Sequence, residues 1–291
     1  MTKVTTKKKL AVLGNGFLAG IIVETYNKGL LEEYELTGIL GRTKEKTEAL
    51  AEKGGCRPCS TLEELLEDKP DYVAEAASVK AVQDYGMKIL SGGADMILLS
   101  IGALADETFY REISECAKEN GRKIHIASGA IGGFDVLRTI SLMGQAQTSF
   151  RTKKGPKSLS GTPLFEESLM TDKEEKQVFH GSAKEAISIL PTKVNVAIAA
   201  SLASSGPENV DMSIFSVPEM VGDDHKITAQ IPGVKAELDI YSSTSAIAGW
   251  SVVAVLRNLV SPIVYKRQIL NNRNRKREAD IASASLLKTL F

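Results

Sequence analysis

The sequence predicts an α/β protein: a doubly wound parallel sheet followed by a second, α+β domain. Three observations predict it. An apolar run, Leu10-Ala11-Val12-Leu13, leads directly into the glycine turn Gly14-Asn15-Gly16-Phe17-Leu18-Ala19. Strand-like and helix-like segments then alternate as far as Ala127, the rhythm of parallel strands joined by crossover helices. After Ala127 several strand-like pieces follow with fewer helices between them, as in a mostly antiparallel sheet.

Residues 10–13 read as the first strand, and a helix from Gly16 to Tyr26 follows the turn. The turn has the G-x-G-x-x-A form of a dinucleotide fingerprint, which makes the first domain Rossmann-type. Gly14 permits the tight turn, and Gly16 leaves no Cβ between the backbone and a pyrophosphate. Phe17 and Leu18 open the helix whose free N–H groups face the anion, and Ala19 lets that helix lie close on the strand. A glycine-rich turn without a ligand is the alternative.

A second strand covers residues 34–40 and a helix residues 44–53. Ser60-x-x-Glu63 reads as a capping box that opens a short helix to Glu67. Strands at 71–76, 94–99 and 123–127 alternate with helices at 79–90 and 107–120, which Gly92-Gly93 and Gly121 end. The first domain is therefore placed at residues 1–127.

The second domain, residues 128–245, starts with the junction Ser128-Gly129-Ala130-Ile131-Gly132-Gly133 and a helix at 134–143. Strands are expected at 148–153, 176–180, 210–215, 226–230 and 236–241, with helices at 183–190 and 194–203. An apolar helix at 246–259, within a segment 246–265, is expected to return to the first domain. Residues 266–291 form an extension with the basic cluster Arg273, Arg275, Lys276, Arg277, read as a solvated helix or disordered tail.

Composition narrows the function. The 36 basic and 36 acidic side chains balance, which gives no global charge argument for nucleic acid or an anionic membrane. There is no apolar run of spanning length, and the apolar stretch after the basic N-terminus breaks at Gly14, too short for a signal peptide. The chain reads as cytoplasmic, with a small-molecule substrate. Cys56-Arg57-Pro58-Cys59 is a lone C-x-x-C without a second ligand pair, so no metal site is expected.

Three stretches together resemble the L-aspartate dehydrogenase family: the N-terminal fingerprint, Ser128-Gly129-Ala130-Ile131-Gly132-Gly133-Phe134-Asp135, and Val194-Asn195-Val196-Ala197 ahead of a Pro218…His225 segment. Glu75-Ala76-Ala77-Ser78, the Ala103-Leu104-Ala105-Asp106 turn and Lys154…Leu159 support it, and the likeness covers about residues 8–265. The resemblance implies an NAD(P)-dependent amino acid oxidoreductase, a substrate domain that also forms a homodimer, nicotinamide-side contacts at Ala130 and Asn195, cofactor contacts at Ala76 and Ala77, and a catalytic histidine at His225. The chain departs from the family's D-P-x-x-x-x-N-x-H, having Val217 for the leading acid and Asp223 for the amide. The family's K-P-P is Lys154-Gly155-Pro156.

Oxidising an α-amino acid removes a hydride from Cα and a proton from the amine, and the imine then adds water. One group titrating near neutrality can serve both proton steps, and histidine is the usual choice. The chain has three histidines. His125 lies inside the fifth strand and reads as a hydrogen-bonded structural residue; His180 ends a strand and reads as a cap or surface residue. His225 stands beside Asp223 and Asp224, carboxylates expected to orient its ring and raise its pKa. Lys154 is the first candidate for a substrate carboxylate, against a solvated strand-end lysine, and Asp223 is placed on the substrate side. Arg257 reads as a buried or interdomain salt-bridge residue.

Cofactor choice is read at the end of the second strand, where Leu40-Gly41-Arg42-Thr43-Lys44 carries no acid for a ribose 2′-OH. Arg42 and Thr43 can hold a 2′-phosphate, so NADP preference or dual use is expected. The leading expectation is an NAD(P)-dependent dehydrogenase that converts L-aspartate through an imino acid to oxaloacetate and ammonia, or the reverse. Two alternatives stand beside it: the same chemistry on another amino or 2-oxo acid, and a non-catalytic NADP(H)-binding regulator.

Overall fold

The computed structural model describes residues 6–190 and 195–265. The described residues up to Val260 form one compact unit that contains two sheets. The basic cluster at 273–277 and Val194 lie outside the described residues.

The first sheet has the order β3-β2-β1-β4-β5-β6, all parallel. Its strands are β1 (Lys8–Leu13), β2 (Tyr34–Leu40), β3 (Arg57–Cys59), β4 (Tyr72–Glu75), β5 (Asp95–Leu98) and β6 (Ile124–Ile126). The helices between them are α1 (Phe17–Asn27), α2 (Lys44–Gly54), α3 (Leu62–Glu67), α4 (Val79–Ser91) and α5 (Glu107–Glu119). A 3₁₀ turn, Ile101–Ala105, joins β5 to α5.

The two-residue period of a strand sorts side chains between two cores. Leu10, Val12, Ala74 and Ile97 pack with the α1 residues Ile22 and Val23 on one face. Ala11, Leu13, Val73, Met96 and Leu98 pack with Ile89 of α4 and Ile113 of α5 on the other. Burial on both faces is why these strands read as continuous apolar runs. The strand order reverses between β1 and β4, and this switch point opens a crevice at the carboxyl ends of the strands.

Two local expectations are corrected. Residues 57–59 form a sixth strand, β3, paired with β2 from Gly38 to Leu40, so most of the C-x-x-C lies on the sheet. The α3 cap is Thr61, whose hydroxyl accepts from Glu64 N, not Ser60. Glu64 reaches back to Ser60 N at 2.7 Å, and both acceptors therefore stand one residue later than the sequence spacing suggested.

The second sheet has the order β11-β10-β7-β9-β8. Its strands are β7 (Gln147–Lys154), β8 (Lys176–Ser182), β9 (Val210–Ser216), β10 (Asp223–Ile231) and β11 (Val234–Ser242). It is antiparallel except for the parallel pair β7–β9, in keeping with the mostly antiparallel sheet expected. The parallel pair is possible because α8 (Ala183–Ile189) and α9 (Asn195–Ala203) lie in the connection between β7 and β9. Phe150, Met212, Ile214, Ile227 and Ala229 point from this sheet into a core shared with α6 (Phe134–Met143) and α9.

The last helix, α10 (Ala246–Val260), packs on α1, where a Cβ on Gly249 would meet Ile21 at 2.8 Å. The Tyr34 hydroxyl donates to Leu256 O at 2.7 Å. Arg257 forms its salt bridge with Glu33, at 2.7 Å, but on the surface: its side chain is 45% exposed, so it is neither buried nor a link to the second sheet. No helix among the described residues is long and apolar enough to cross a membrane.

Candidate active site

The crevice begins at Gly14. Its φ of +131° is strained for any side chain, and a Cβ there would lie 2.4 Å from Ala76 O. Gly14 N donates to Leu40 O at 2.7 Å and Ala76 N to Leu13 O at 2.8 Å, so the turn is stitched to β2 on one side and β4 on the other. Ala76 and Ala77 therefore sit against the turn.

Gly16 is different. It is exposed, and nothing lies within 4 Å of the place a Cβ would take. The protein's own packing makes no use of this glycine. The α1 N-terminus that follows has no side-chain cap and no acid in its first turn, which leaves its N–H groups open to an anion. Ala19 is buried on the strand and Phe17 is exposed beside the open end, with Leu18 half-buried. These residues fit the pyrophosphate of a dinucleotide.

Beyond β2, Arg42 is exposed and has no ion-pair partner among the described residues. Thr43 is the N-cap residue of α2, yet its side chain makes no cap bond. Its carbonyl instead accepts from the Asn15 amide at 2.8 Å, and the same amide reaches Thr47 Oγ1 at 2.9 Å. Asn15, the variable residue of the fingerprint, thereby fixes the glycine turn to the Arg42–Thr43 corner; the motif gave no signal for this.

A second residue without a predicted role is Glu75, at the end of β4. It is fully buried and accepts four hydrogen bonds: Ala77 N at 2.8 Å, Leu99 N at 3.1 Å, Ser100 N at 2.8 Å and the Ser100 hydroxyl at 2.7 Å. Burial pushes its carboxyl up from the usual range, against hydrogen bonds that favour the carboxylate. Glu75 clamps the loops after β4 and β5 together. Its appearance in Glu75-Ala76-Ala77-Ser78, an acid ending an apolar strand, was the available signal.

Asn195, at the start of α9, accepts from Gly102 N at 2.8 Å in the 3₁₀ turn after β5. This bond ties the second sheet's helix to the first sheet's carboxyl edge. Ala130 lies in the loop between β6 and α6, half-buried. That loop is held by Gly129 N donating to Ser251 Oγ of α10 at 3.0 Å, and Gly133 packs on Leu238 of β11.

His225 lies on β10, not in the preceding loop. The antiparallel register sets it directly opposite Thr152 of β7, and sets Asp223 opposite Lys154. Strand alternation puts all four side chains on one face. Thr152 Oγ1 is 2.9 Å from His225 Nδ1, and Lys154 Nζ donates to Asp223 Oδ1 at 2.7 Å. Gly155 allows this corner: a Cβ there would meet Met220 O at 2.2 Å, in the loop from β9 to β10.

The imidazole is 2% exposed, and its Nε2 has no hydrogen-bond partner among the described residues. It lines a narrow cavity with Thr152, Lys154, Leu190, Val196 and Ala197. Thus hydrogen bonds and chain neighbours lead from the glycine turn through Ala76, Glu75, Ser100, Gly102 and Asn195 to Val196, which lines the cavity with His225. A larger cavity of about 300 Å³, lined by Leu104, Tyr110, Phe134 and Arg138 among others, contains none of the residues given a cofactor, substrate or catalytic role from the sequence.

The expected electrostatics of His225 are corrected. Burial first, and then the Lys154 ammonium, push its pKa down to about 4, with Asp223 opposing them. Asp223 spends its charge on Lys154, and Asp224 faces the other side of β10, so neither carboxylate orients the ring. A neutral hydroxyl does. His125 is hydrogen-bonded to Asp95 at 3.3 Å, and exposed His180 to Ser213 at 3.1 Å. Burial raises the Cys56 thiol to about 12, so it is not a thiolate at neutral pH.

Residues 135–259 match the family described as aspartate dehydrogenase, C-terminal, and residues 14–127 the NAD-binding domain described for homoserine dehydrogenase. The L-aspartate dehydrogenase of Methanococcus maripaludis strain C6 is 35% identical over 264 residues, 88% of this chain and 98% of its own. The chain belongs to the aspartate dehydrogenase family. Aspartate dehydrogenase from Thermotoga maritima has a similar structure, with a TM-score of 0.68, 27% identity and coverage of 89% of this chain and 99% of its own. An amine dehydrogenase from Mycobacterium smegmatis shares the fold, with a TM-score of 0.55, 14% identity and coverage of 89% of this chain and 97% of its own.

Proposed function

We propose that this member of the aspartate dehydrogenase family is an NAD(P)-dependent L-aspartate dehydrogenase with His225 as its acid/base. The observation that carries the assignment of His225 is its buried Nε2, without a partner among the described residues, on a ring that lines a cavity next to α9, the helix that Asn195 ties to the carboxyl edge of the first sheet. When bound, the nicotinamide supplies the hydride acceptor for the substrate Cα. Gly14, Gly16, Phe17, Leu18 and Ala19 form the pyrophosphate cradle, Ala76 and Ala77 wall it, and Ala130 and Asn195 border the nicotinamide half. Arg42 and Thr43 take the adenosine 2′-phosphate, so NADP is preferred or both cofactors serve.

His225, depressed to about 4, is neutral at physiological pH and takes the proton that leaves the substrate amine. Once it has released that proton, it accepts another from the water that attacks the imino carbon and gives it to the departing nitrogen, so that oxaloacetate and ammonia leave. Burial of the site excludes other water from the imidazole. Lys154 meets one substrate carboxylate. We place the cofactor domain at residues 1–127 and the substrate domain at 128–245 in a cytoplasmic protein, with the second domain forming the homodimer that the family resemblance implies.

One observation favours a second reading. Asp223 already neutralises Lys154, and a neutralised lysine attracts a dicarboxylate less than a free one. On this reading the chemistry is unchanged and the substrate is another amino or 2-oxo acid. A panel of amino acids with each cofactor, and of 2-oxo acids with ammonia, separates the two. Aspartate and oxaloacetate are expected to be turned over best; no turnover of either, beside strong turnover of another pair, overturns the assignment.

A further inference from the structure

We infer that Thr152 is a positioning residue for the proton steps: its hydroxyl oxygen holds Nδ1 of His225 while the imidazole carries the transferred proton. The inference rests on His225 being the acid/base group.

An imidazolium donates from both nitrogens. Nε2 has no partner among the described residues and the ring lines the cavity, so in the proposed mechanism its donor serves the substrate. Nδ1 then needs an acceptor inside the protein, or a buried N–H is left unpaired during each turnover. Among the described residues the side-chain partner of Nδ1 is Thr152 Oγ1, at 2.9 Å, with both residues 2% exposed. The register of β7 on β10 fixes the pair, since Thr152 and His225 stand directly opposite. Phe150, with its ring centroid 5.7 Å from that of His225, and Leu190, Met212 and Ile214 fill the remaining sides. Among the described residues, the charged groups facing the imidazole are Lys154 on β7 and Asp223 on β10; the α9 and β9 residues lining its cavity carry none.

The chemistry of the partner is informative. A carboxylate at this place would orient the ring equally well, but it would also stabilise the imidazolium and leave less neutral base at physiological pH. A hydroxyl accepts from Nδ1–H without adding a charge. It can also turn and donate when Nδ1 is bare, so the contact survives both protonation states.

The test compares Thr152→Val, which keeps the shape and removes the acceptor, with Thr152→Ser and His225→Gln. Thr152→Val is expected to lower kcat about tenfold to a hundredfold. Its cofactor Kd should stay within about twofold, because Thr152 lies away from the pyrophosphate cradle. With its acceptor gone the imidazolium is less stable, so the acidic limb of kcat/KM moves to lower pH, by about half a unit or more. Thr152→Ser restores both.

The ¹⁵N resonances of His225, assigned as those missing from His225→Gln, give a readout independent of turnover: their titration midpoint moves down in Thr152→Val and returns in Thr152→Ser. An unmoved midpoint and pH profile in folded Thr152→Val, with His225→Gln inactive, overturns this inference alone. An active His225→Gln overturns the assignment of His225, and this inference with it.

Discussion

Gly14→Ala and Gly16→Ala are the same chemical change two residues apart, and the structure gives them opposite consequences. At position 14 the backbone has φ +131°, and the new Cβ would lie 2.4 Å from the Ala76 carbonyl oxygen. A backbone oxygen cannot rotate away as a side chain would. The strained backbone costs about 1–3 kcal/mol and the forced displacement about another 1–3 kcal/mol, so Gly14→Ala should lose roughly 2–6 kcal/mol and lower Tm by on the order of 10 °C. At position 16 there is open space, and an alanine cap instead of glycine costs about 1 kcal/mol or less.

What Gly16→Ala obstructs is the approach of the pyrophosphate. Cofactor affinity should fall about tenfold to a hundredfold, or about 1.4–2.8 kcal/mol. Urea unfolding without cofactor and a fluorescence titration with each cofactor measure the two effects separately. Wild-type stability in Gly14→Ala, or wild-type affinity for both cofactors in Gly16→Ala, would refute this reading of the turn.

Arg42→Ala should lower kcat/KM with NADP about tenfold while changing NAD use by no more than about twofold; a tenfold preference for NAD in the unaltered protein contradicts the assignment. Glu75→Gln places an amide where three N–H groups point, and is expected to cost about 3 kcal/mol in urea unfolding and to weaken cofactor binding; an unchanged unfolding midpoint would contradict the clamp. His225, held at about 4 against an ordinary 6.5, binds fewer protons folded than unfolded between those values. Its contribution is therefore complete above about pH 6.5 and falls by about 3 kcal/mol as pH drops to 4. His225→Gln should flatten that part of the stability–pH curve, and an unchanged slope speaks against a buried neutral imidazole. Asp223→Asn frees Lys154 and should lower KM for aspartate severalfold, about threefold to tenfold; a higher KM would place Asp223 itself on the substrate.

Much of the fold was legible because burial leaves a periodic trace. Leu10 to Leu13 and the strands at 34–40 and 210–216 are apolar in the pattern that two-sided or one-sided burial demands. β3 was hidden because three residues, Arg57-Pro58-Cys59, are too few to show a period. The parallel β7–β9 pair was hidden because strand direction depends on the whole connection, not on the strands themselves.

At the site, the glycine turn and His225 were legible as residue types, while their partners were not. Thr152 meets His225 only through the register of β10 on β7, across 73 residues of sequence. Adjacency in the chain suggested Asp224 as the ring's partner, but neighbours on a strand point to opposite faces. Desolvation, which dominates the imidazole's pKa, is a property of the closed cavity and cannot be read from neighbouring letters. Asn15 and Glu75 likewise show their bonds only once loops distant in sequence meet.

The proposed mechanism requires the imidazole and the nicotinamide to share one crevice. A crystal structure with oxidised NADP and an unreactive dicarboxylate analogue bearing an amine tests this directly. The expected result is the adenosine phosphate against Arg42, with the analogue's amine within about 2.6–3.2 Å of His225 Nε2, or one water away, and its carbon facing the pyridine ring. An analogue bound on the pyridine face with His225 sealed behind other side chains would contradict it.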